Sequence, residues 1–551
     1  APPAPPAAKQ QASPVMSPEV AGEVHAEAVQ ALSAGEHRIK QHKGEANAYH
    51  SYGEDKVHAF AGYINSLLQG DPDLADVMPV DTHSDALFGA VGNGILLCKL
   101  INMTQPGIIF ERAINLKIKG IHHKVENQNL AINSAKAIGC NVVNIGAADL
   151  IEGKEHLVLG LVWQIIKIML LKKVSLRELP ELAVLLNDGE ALSDLLKLSP
   201  ELILLRWVNH HLKRVGSDLV VSNFGEHFKD SKAYVLLMSS ICPEHCDTSP
   251  LSEADPRKRA LRVISNAGKM GCKHFVTADH IVNGNAQLNL AFTALLFNEY
   301  PALELPVESE VRQEMAELLD DDDVESSREE RVFRNWINSL GLSEDVNSLY
   351  EDCKTGEPLL EIMEHLVPDS VNWKMVKRGT KIQIKKVQNC NYVVDVAQSI
   401  GVKVVNLGGS DIEKGNKKLI LGLVWQLMRY DTIALLEKLG GGKKVSDQDL
   451  IKWSNDKVAG KGRMSSFQDD ELSSSRFLLS LCDAVTPGVV NWDVVTPGET
   501  AEGKEQNAKY ALSVARKMGC GVFLLWEDVV EVKPKMLMTF VGSLMALDAS
   551  K

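Results

Sequence analysis

Leu157-Val158-Leu159-Gly160-Leu161-Val162-Trp163-Gln164 returns as Leu419-Ile420-Leu421-Gly422-Leu423-Val424-Trp425-Gln426, a displacement of 262 residues read from Leu159 to Leu421. Only Val158 differs, and it becomes isoleucine. Chance does not produce such an octapeptide twice, so the chain contains a duplication. The same displacement carries Val142-Val143-Asn144 onto Val404-Val405-Asn406, Gly139 onto Gly401, and Val125 and Asn127 onto Val387 and Asn389. Further upstream Ile64-Asn65-Ser66-Leu67 matches Ile337-Asn338-Ser339-Leu340 at 273 residues, so the first copy holds about 11 extra residues before Gly94. That insertion is expected to lengthen a loop near Asp71 to Asp85.

A second pair has its own register. Lys269-Met270-Gly271-Cys272 recurs as Lys517-Met518-Gly519-Cys520 at 248 residues, with Phe275 and Phe523 following, and Trp207 and Asn209 anticipate Trp453 and Asn455. All four segments share one grammar: a first helix with an aromatic anchor, a central helix ending in Gly, a short apolar extended stretch, then a strongly apolar last helix. The order is A-B-A′-B′. Apolar spacing inside the units is helical rather than alternating, as in Phe292, Leu295 and Leu296 and their counterparts Phe540, Ser543 and Leu544. Gly139, Gly271, Gly401 and Gly519 close helical runs where a left-handed C-cap is expected. The fold class read from this pattern is all-α.

Bulk composition agrees. At 551 residues the chain exceeds one hydrophobic core, and about 100 to 200 residues per domain predicts three to five domains. The apolar fraction of 45% and charged fraction of 24% are those of a globular protein. A net charge of -13 argues against a nucleic-acid partner, which needs dense Lys and Arg to displace counterions. Nine cysteines, scattered and often inside apolar runs such as Ile95-Leu96-Leu97-Cys98, suit free thiols in a reducing compartment, so the cytoplasm is the expected location. Ala1 to Pro18 is rich in Pro and Ala and lacks the basic start and apolar centre of a signal peptide. Leu157 to Leu171 falls short of the ~20 residues a bilayer needs and contains Gln164 and Lys167, so a buried helix is predicted and no membrane insertion.

Boundaries fall where periodicity fades, near 175–198, 302–327 and 439–446. The predicted units are a tail over 1–52, domains over 53–174 and 199–302, an acidic linker over 303–327, and domains over 328–438 and 447–549. Val307, Val311, Met315, Leu318 and Leu319 form a stripe at helical spacing in that linker, ahead of Asp320 to Asp323. Only Gly440-Gly441-Gly442 is flexible by composition.

At these residues the sequence resembles the calponin-homology family, whose last helix often carries a Gly-Leu-aliphatic-Trp core like Gly160 to Trp163 and Gly422 to Trp425. Four such domains in one chain, from about Gly53 to Leu547, resemble the fimbrin or plastin family. The resemblance implies four helical calponin-homology domains in two tandem pairs within one compact chain. Each pair is then one actin-binding unit, and two units crosslink actin filaments into tight bundles, with no cofactor, no metal and a monomeric chain. Fimbrins usually carry calcium-binding EF-hands ahead of the first pair. No D-x-[DN]-x-[DN]-G loop precedes residue 53, so bundling by this chain is expected not to respond to calcium.

Family practice places most filament contacts on the first domain of each pair, in its first helix, the loop before its central helix, and its last helix. In the first pair the loop reads Leu116-Lys117-Ile118-Lys119-Gly120-Ile121-His122-His123-Lys124, and in the second Lys377-Arg378-Gly379-Thr380-Lys381-Ile382-Gln383-Ile384-Lys385-Lys386. Cations mixed with aliphatics steer an acidic partner and then dock, whereas the plainer reading is a solvated charged loop. The last helices add Lys154, Lys167, Lys172 and Lys173, and Lys414, Lys417, Lys418 and Arg429; individually these are weaker candidates, since most helix charges simply face water. Trp163 and Trp425, with apolar neighbours on several sides, are expected core anchors.

Other motifs have plainer explanations. Cys242-Pro243-Glu244-His245-Cys246 lacks further ligands for zinc and is a helix-end thiol pair. His210-His211 is read as one solvent-facing ring and one at the helix shoulder. Gly92-Asn93-Gly94 lacks the strand and third Gly of a dinucleotide loop, and Gly440-Gly441-Gly442-Lys443-Lys444 lacks the spacing of a phosphate loop. Asp320 to Asp323 lacks the glycine and terminal Glu of a calcium loop and is an acidic linker, with docking on a basic surface as the alternative. The Pro-rich start is a tail, with polyproline recognition as the alternative. Ser13, Ser17, Ser326 and Ser327 lie in segments expected to be exposed. Against filament bundling stands a single-filament binder or signalling scaffold without bundling; an enzyme is disfavoured because no nucleophile-base, paired-carboxylate or metal constellation recurs.

Overall fold

Helix follows helix wherever the sequence offers a cap and an apolar stripe. The computed structural model describes residues 47–176, 178–304, 324–439 and 444–551, and among these described residues there is no strand. Among the described residues, sixteen helices of ten or more residues fall into four groups of four. The first domain has α1 (Asn47–Leu68), α2 (Ile95–Thr104), α3 (Ile121–Ala137) and α4 (Glu155–Leu171). The second has α5 (Pro200–Arg214), α6 (Lys232–Ile241), α7 (Pro256–Lys269) and α8 (Ala286–Glu299). The third has α9 (Val324–Ser339), α10 (Glu357–Leu366), α11 (Gln383–Ser399) and α12 (Lys417–Leu439). The fourth has α13 (Asp447–Val458), α14 (Arg476–Val485), α15 (Ala501–Met518) and α16 (Pro534–Ser550).

Local signals set the boundaries. Ser199 caps α5 through Leu202 N at 3.3 Å with Pro200 at the first helical position, and Ser446 with Asp449 forms a capping box on α13. The four glycines that close central helices all have left-handed φ, from 82° to 110°. Each second helix is entered through another left-handed residue: Gly94, Ser231, Gly356 and Ser475. At Gly94 a Cβ would lie 2.7 Å from the Asn127 Cβ, so this entry admits no side chain.

Apolar faces then close the cores. Trp207 and Trp336 are fully enclosed, as are Phe60, Phe292 and Phe540, and burial of each is worth about 3 kcal/mol. Trp425 is buried as expected, whereas Trp163 is partly buried and stacks on Phe60 with centroids 5.8 Å apart. Leu157 to Leu171 forms α4, with Val158, Leu161, Val162, Ile165 and Ile166 inside. Residues 417–437 of α12 have the length and hydropathy of a membrane span, yet Ile420, Val424, Leu427 and Met428 are buried and the helix packs on α9 and α16.

The junctions carry structure that periodicity does not predict. Between the first two domains, Pro180–Leu185 and Leu192–Leu196 form short helices whose Leu182, Leu185, Leu192 and Leu195 are buried. Glu190 pairs with Arg206 of α5, Nη2 to Oε1 at 2.9 Å, and that guanidinium holds the carboxyl down at about 2. The insertion near Asp71 to Asp85 is likewise folded down: buried Lys99 reaches Asp73 at 2.6 Å, Asp71 at 3.3 Å and Glu111 at 3.5 Å. His211 corrects the reading of the His210-His211 pair. Its ring is fully buried, 2.9 Å from Ser240 Oγ and 3.3 Å from Pro301 O. The stripe over 307–319, Asp320 to Asp323, the tail serines and Gly440 to Gly442 lie outside the described residues.

Glu54–Lys551 form one compact unit. The first and fourth domains meet along α3 and α15, the third touches the first through α9 and α3, and α12 crosses α16. At that last crossing a Cβ on Gly542 would come 2.7 Å from Thr432 Cγ2. Gly542→Val overpacks it, and the Tm of the unit containing the third and fourth domains should fall by about 5 °C in a thermal melt, the equivalent of about 2 kcal/mol.

Candidate functional site

The loop entering each A-type central helix carries the cations picked out by sequence, and both loops lie at the surface. Lys117, Lys119 and His122 are exposed, with His123 and Lys124 half-buried. In the third domain Lys377, Arg378, Lys381 and Lys385 are exposed and Lys386 half-buried. Aliphatics stand among them: Leu116 and Ile121 in the first loop, Met375, Ile382 and Ile384 in the second, with Ile384 68% exposed. Residues 112–124 hold Arg112, Lys117, Lys119 and Lys124 plus two histidines, and residues 374–386 hold six Lys or Arg; neither window contains an acidic residue. In a chain of net charge -13 these are local reversals of sign.

Backbone and ring contacts give the loops a shape. His123 Nδ1 sits 3.0 Å from Lys117 O and 3.2 Å from Lys119 N. The Arg378 guanidinium lies 4.3 Å from the centroid of the Trp373 ring, a cation–π contact that anchors it. Gly379 N donates to Glu357 Oε1 at 2.8 Å, tying the third-domain loop to α10. Under each loop sits a buried amide of the central helix. Asn127 accepts from Asn115 N at 2.9 Å and donates to Asn93 O and Asn115 O, both at 3.0 Å. Asn389 accepts from Lys377 N at 2.9 Å and donates to Thr355 O at 3.1 Å and Lys377 O at 3.2 Å. The 262-residue repeat carries one asparagine onto the other without disclosing what either holds.

The last-helix candidates are distributed differently. Lys154 immediately precedes α4 and is paired with Asp149 at 2.5 Å and Glu152 at 3.7 Å. Lys172 is exposed beyond the end of α4. Lys417 opens α12 and stands 5.7 Å from the Tyr350 ring, with Lys418 exposed beside it. Lys167 lies about 20 Å along the axis from Lys154 by helix rise. It reaches Glu201 of the second domain at 2.7 Å and Asp345 of the third at 3.9 Å. Arg429 pairs with Asp447 of the fourth domain. Both are joined to other domains, where sequence reading placed them among the filament contacts.

Sequence also gave no hint of a polar seam between the first and fourth domains. Arg516 is fully buried there, Nη1 donating to Ile108 O at 2.8 Å and Nε to Val522 O at 3.1 Å. Burial alone pulls its guanidinium down to about 10. Lys517 reaches Asn115 Oδ1 at 2.8 Å and Glu126 at 3.3 Å, and Phe110 N donates to Ser513 Oγ at 2.8 Å.

The calponin homology (CH) domain model matches residues 55–170, 198–302, 327–433 and 444–549. Fimbrin-3 of Arabidopsis thaliana is 45% identical over 511 residues, 91% of this chain and 71% of that protein. Plastin-3 of Danio rerio is 46% identical over 518 residues, 91% of this chain and 81% of its own. This chain belongs to the fimbrin/plastin family. Among solved structures, the actin-crosslinking core of Schizosaccharomyces pombe fimbrin superposes with a TM-score of 0.77 at 37% identity, covering 90% of this chain and 99% of that one. In fimbrin terms, α1–α4 and α9–α12 form the leading CH domains of the two tandem pairs. The two basic loops therefore occupy equivalent places in this fimbrin-family fold.

Proposed function

We propose that the chain crosslinks actin filaments into tight bundles, each tandem pair gripping one filament, without catalytic chemistry. The observation that carries this is the repetition of one surface device, a cation-rich loop with exposed aliphatics, in the leading domain of each pair. Lys117, Lys119, His122, His123 and Lys124 form the grip of the first pair, with Lys154 and Lys172 at the ends of α4. Lys377, Arg378, Lys381, Lys385 and Lys386 form that of the second, with Lys417 and Lys418 at the start of α12. Lys167 and Arg429 serve the joints between domains. Charge steers encounter with an acidic filament and the aliphatics dock afterwards. Joining two modest sites makes the second capture intramolecular, at an effective concentration on the order of mM for a short connection. The chain works as a monomer in the actin cytoskeleton of the cytoplasm.

Bundles sediment at low speed, whereas singly decorated filaments sediment only at high speed. The chain is expected to bring most actin into the low-speed pellet. Pelleting at high speed alone supports the single-filament reading instead.

A further inference from the structure

The buried amide beneath the loop recurs outside the leading domains. In the fourth domain Asn507 accepts from Thr496 N at 2.9 Å and donates to Ser474 O and Thr496 O, both at 3.0 Å. In the second, Arg259 takes the place of asparagine and donates to Asp230 O and Glu253 O. Each of Asn93, Asp230, Thr355 and Ser474 immediately precedes the left-handed residue that starts the second helix. One side chain thus pins two loops together in every domain, which is a device of the fold. What differs is the cargo. Asn491 to Thr500 contains Asp493 and Glu499 and no cation, whereas Asn389 holds both backbone groups of Lys377, the first cation of the third-domain loop.

We infer that Asn389, and Asn127 in the first half, are positioning residues for filament binding. They fix the loop backbone before contact, so that its cations and aliphatics are presented together. A loop ordered only at encounter lowers affinity on the order of tenfold for each residue that must be frozen. Asn389 touches no filament in this account; it acts through Lys377 and the residues that follow. The inference rests on the proposed grip of the second pair.

Asn507 supplies the control, because its removal breaks the same three hydrogen bonds beneath a loop without cations. The full chain is compared as wild type, Asn389→Ala and Asn507→Ala by thermal melting and by low-speed pelleting of actin filaments, alongside a Lys381→Glu, Lys385→Glu, Lys386→Glu variant. Both asparagine variants should lower Tm by similar amounts. Only Asn389→Ala should raise the concentration needed for half-maximal bundling, by about tenfold, while the dependence on salt keeps its wild-type slope because no charge has been lost. Equal shifts in the two asparagine variants, or no shift at Asn389, overturn the positioning role. If the triple reversal abolishes bundling while Asn389→Ala does not, this inference alone fails; if the reversal also leaves bundling intact, the assignment of the loop fails with it. Should Asn389→Ala not fold, Asn389→Ser, which keeps one polar contact, is read by the same criteria.

Discussion

Replacing Lys381, Lys385 and Lys386 together with glutamate should weaken binding of the second half to actin filaments by about 100-fold. Each exposed contact contributes at most about 1 kcal/mol of attraction, and reversal replaces it with repulsion, so three sites sum to about 3 kcal/mol. The fold should not suffer. Lys381 and Lys385 are exposed and Lys386 is half-buried, and charge changes at such positions usually move stability by less than about 0.5 kcal/mol. High-speed cosedimentation of residues 324–551 at two salt concentrations checks both parts. Wild-type affinity should fall as salt rises, and the variant should be weak and nearly salt-independent. Unchanged binding by the variant removes the loop from the filament contact.

Acidification should act on the second and fourth domains in opposite directions. Burial pulls His211 down to about 4; its Nε2–H donates to Pro301 O and its Nδ1 accepts from Ser240, an arrangement complete only for the neutral ring. Unfolded, the same imidazole titrates near 6.5, so the unfolded second domain takes up the proton first. Its stabilising contribution is fully present above pH 6.5 and is lost as pH falls toward 4, about 2 kcal/mol by pH 5. Asp528 runs the other way. Burial raises its carboxyl to about 6, so the folded fourth domain takes up the proton first and gains about 1 kcal/mol between pH 7 and pH 5. Hydrogen exchange corrected for intrinsic rates should show amides of α5 and α8 losing protection on acidification while those near Trp526–Val530 gain it. His211→Gln should abolish the first change and leave the second.

The helical repeat, its two registers and the loops that carry the cations were legible in the sequence because each is a local pattern. The same neighbours marked Trp163 and Trp425 as core anchors, and only Trp425 is buried while Trp163 is partly buried against Phe60. What sequence reading missed depends on contacts between distant segments. His210 and His211 have the same chemistry and adjacent positions, and only the approach of Pro301 and Ser240 decides which ring is buried. Lys167 and Arg429 resemble solvated helix charges until Glu201 and Asp447 of the next domains come into place. Lys517 was visible only as part of the 248-residue repeat and Arg516 not at all, yet Arg516 is among the largest fully buried side chains. The asparagine clamp lies in between: Asn127 and Asn389 were visible as a repeated residue, but their bonds join loops that sequence proximity does not connect.

Arg516 has a consequence for how the first and fourth domains are held together. Its guanidinium faces carbonyl oxygens at Ile108 and Val522, and its buried Nη2 has no hydrogen-bond partner among the described residues. Were the first and fourth domains to part, Nη1 would exchange its bond to Ile108 O for water and Nη2 would gain a partner, while the Nε bond to Val522 O inside the fourth domain would stay, so separation would return part of the free energy that dehydration cost. A methionine, an unbranched apolar side chain, would surrender only apolar contact on separation. The contact between the first and fourth domains thus carries a dehydration cost of its own, like a latch and unlike a weld.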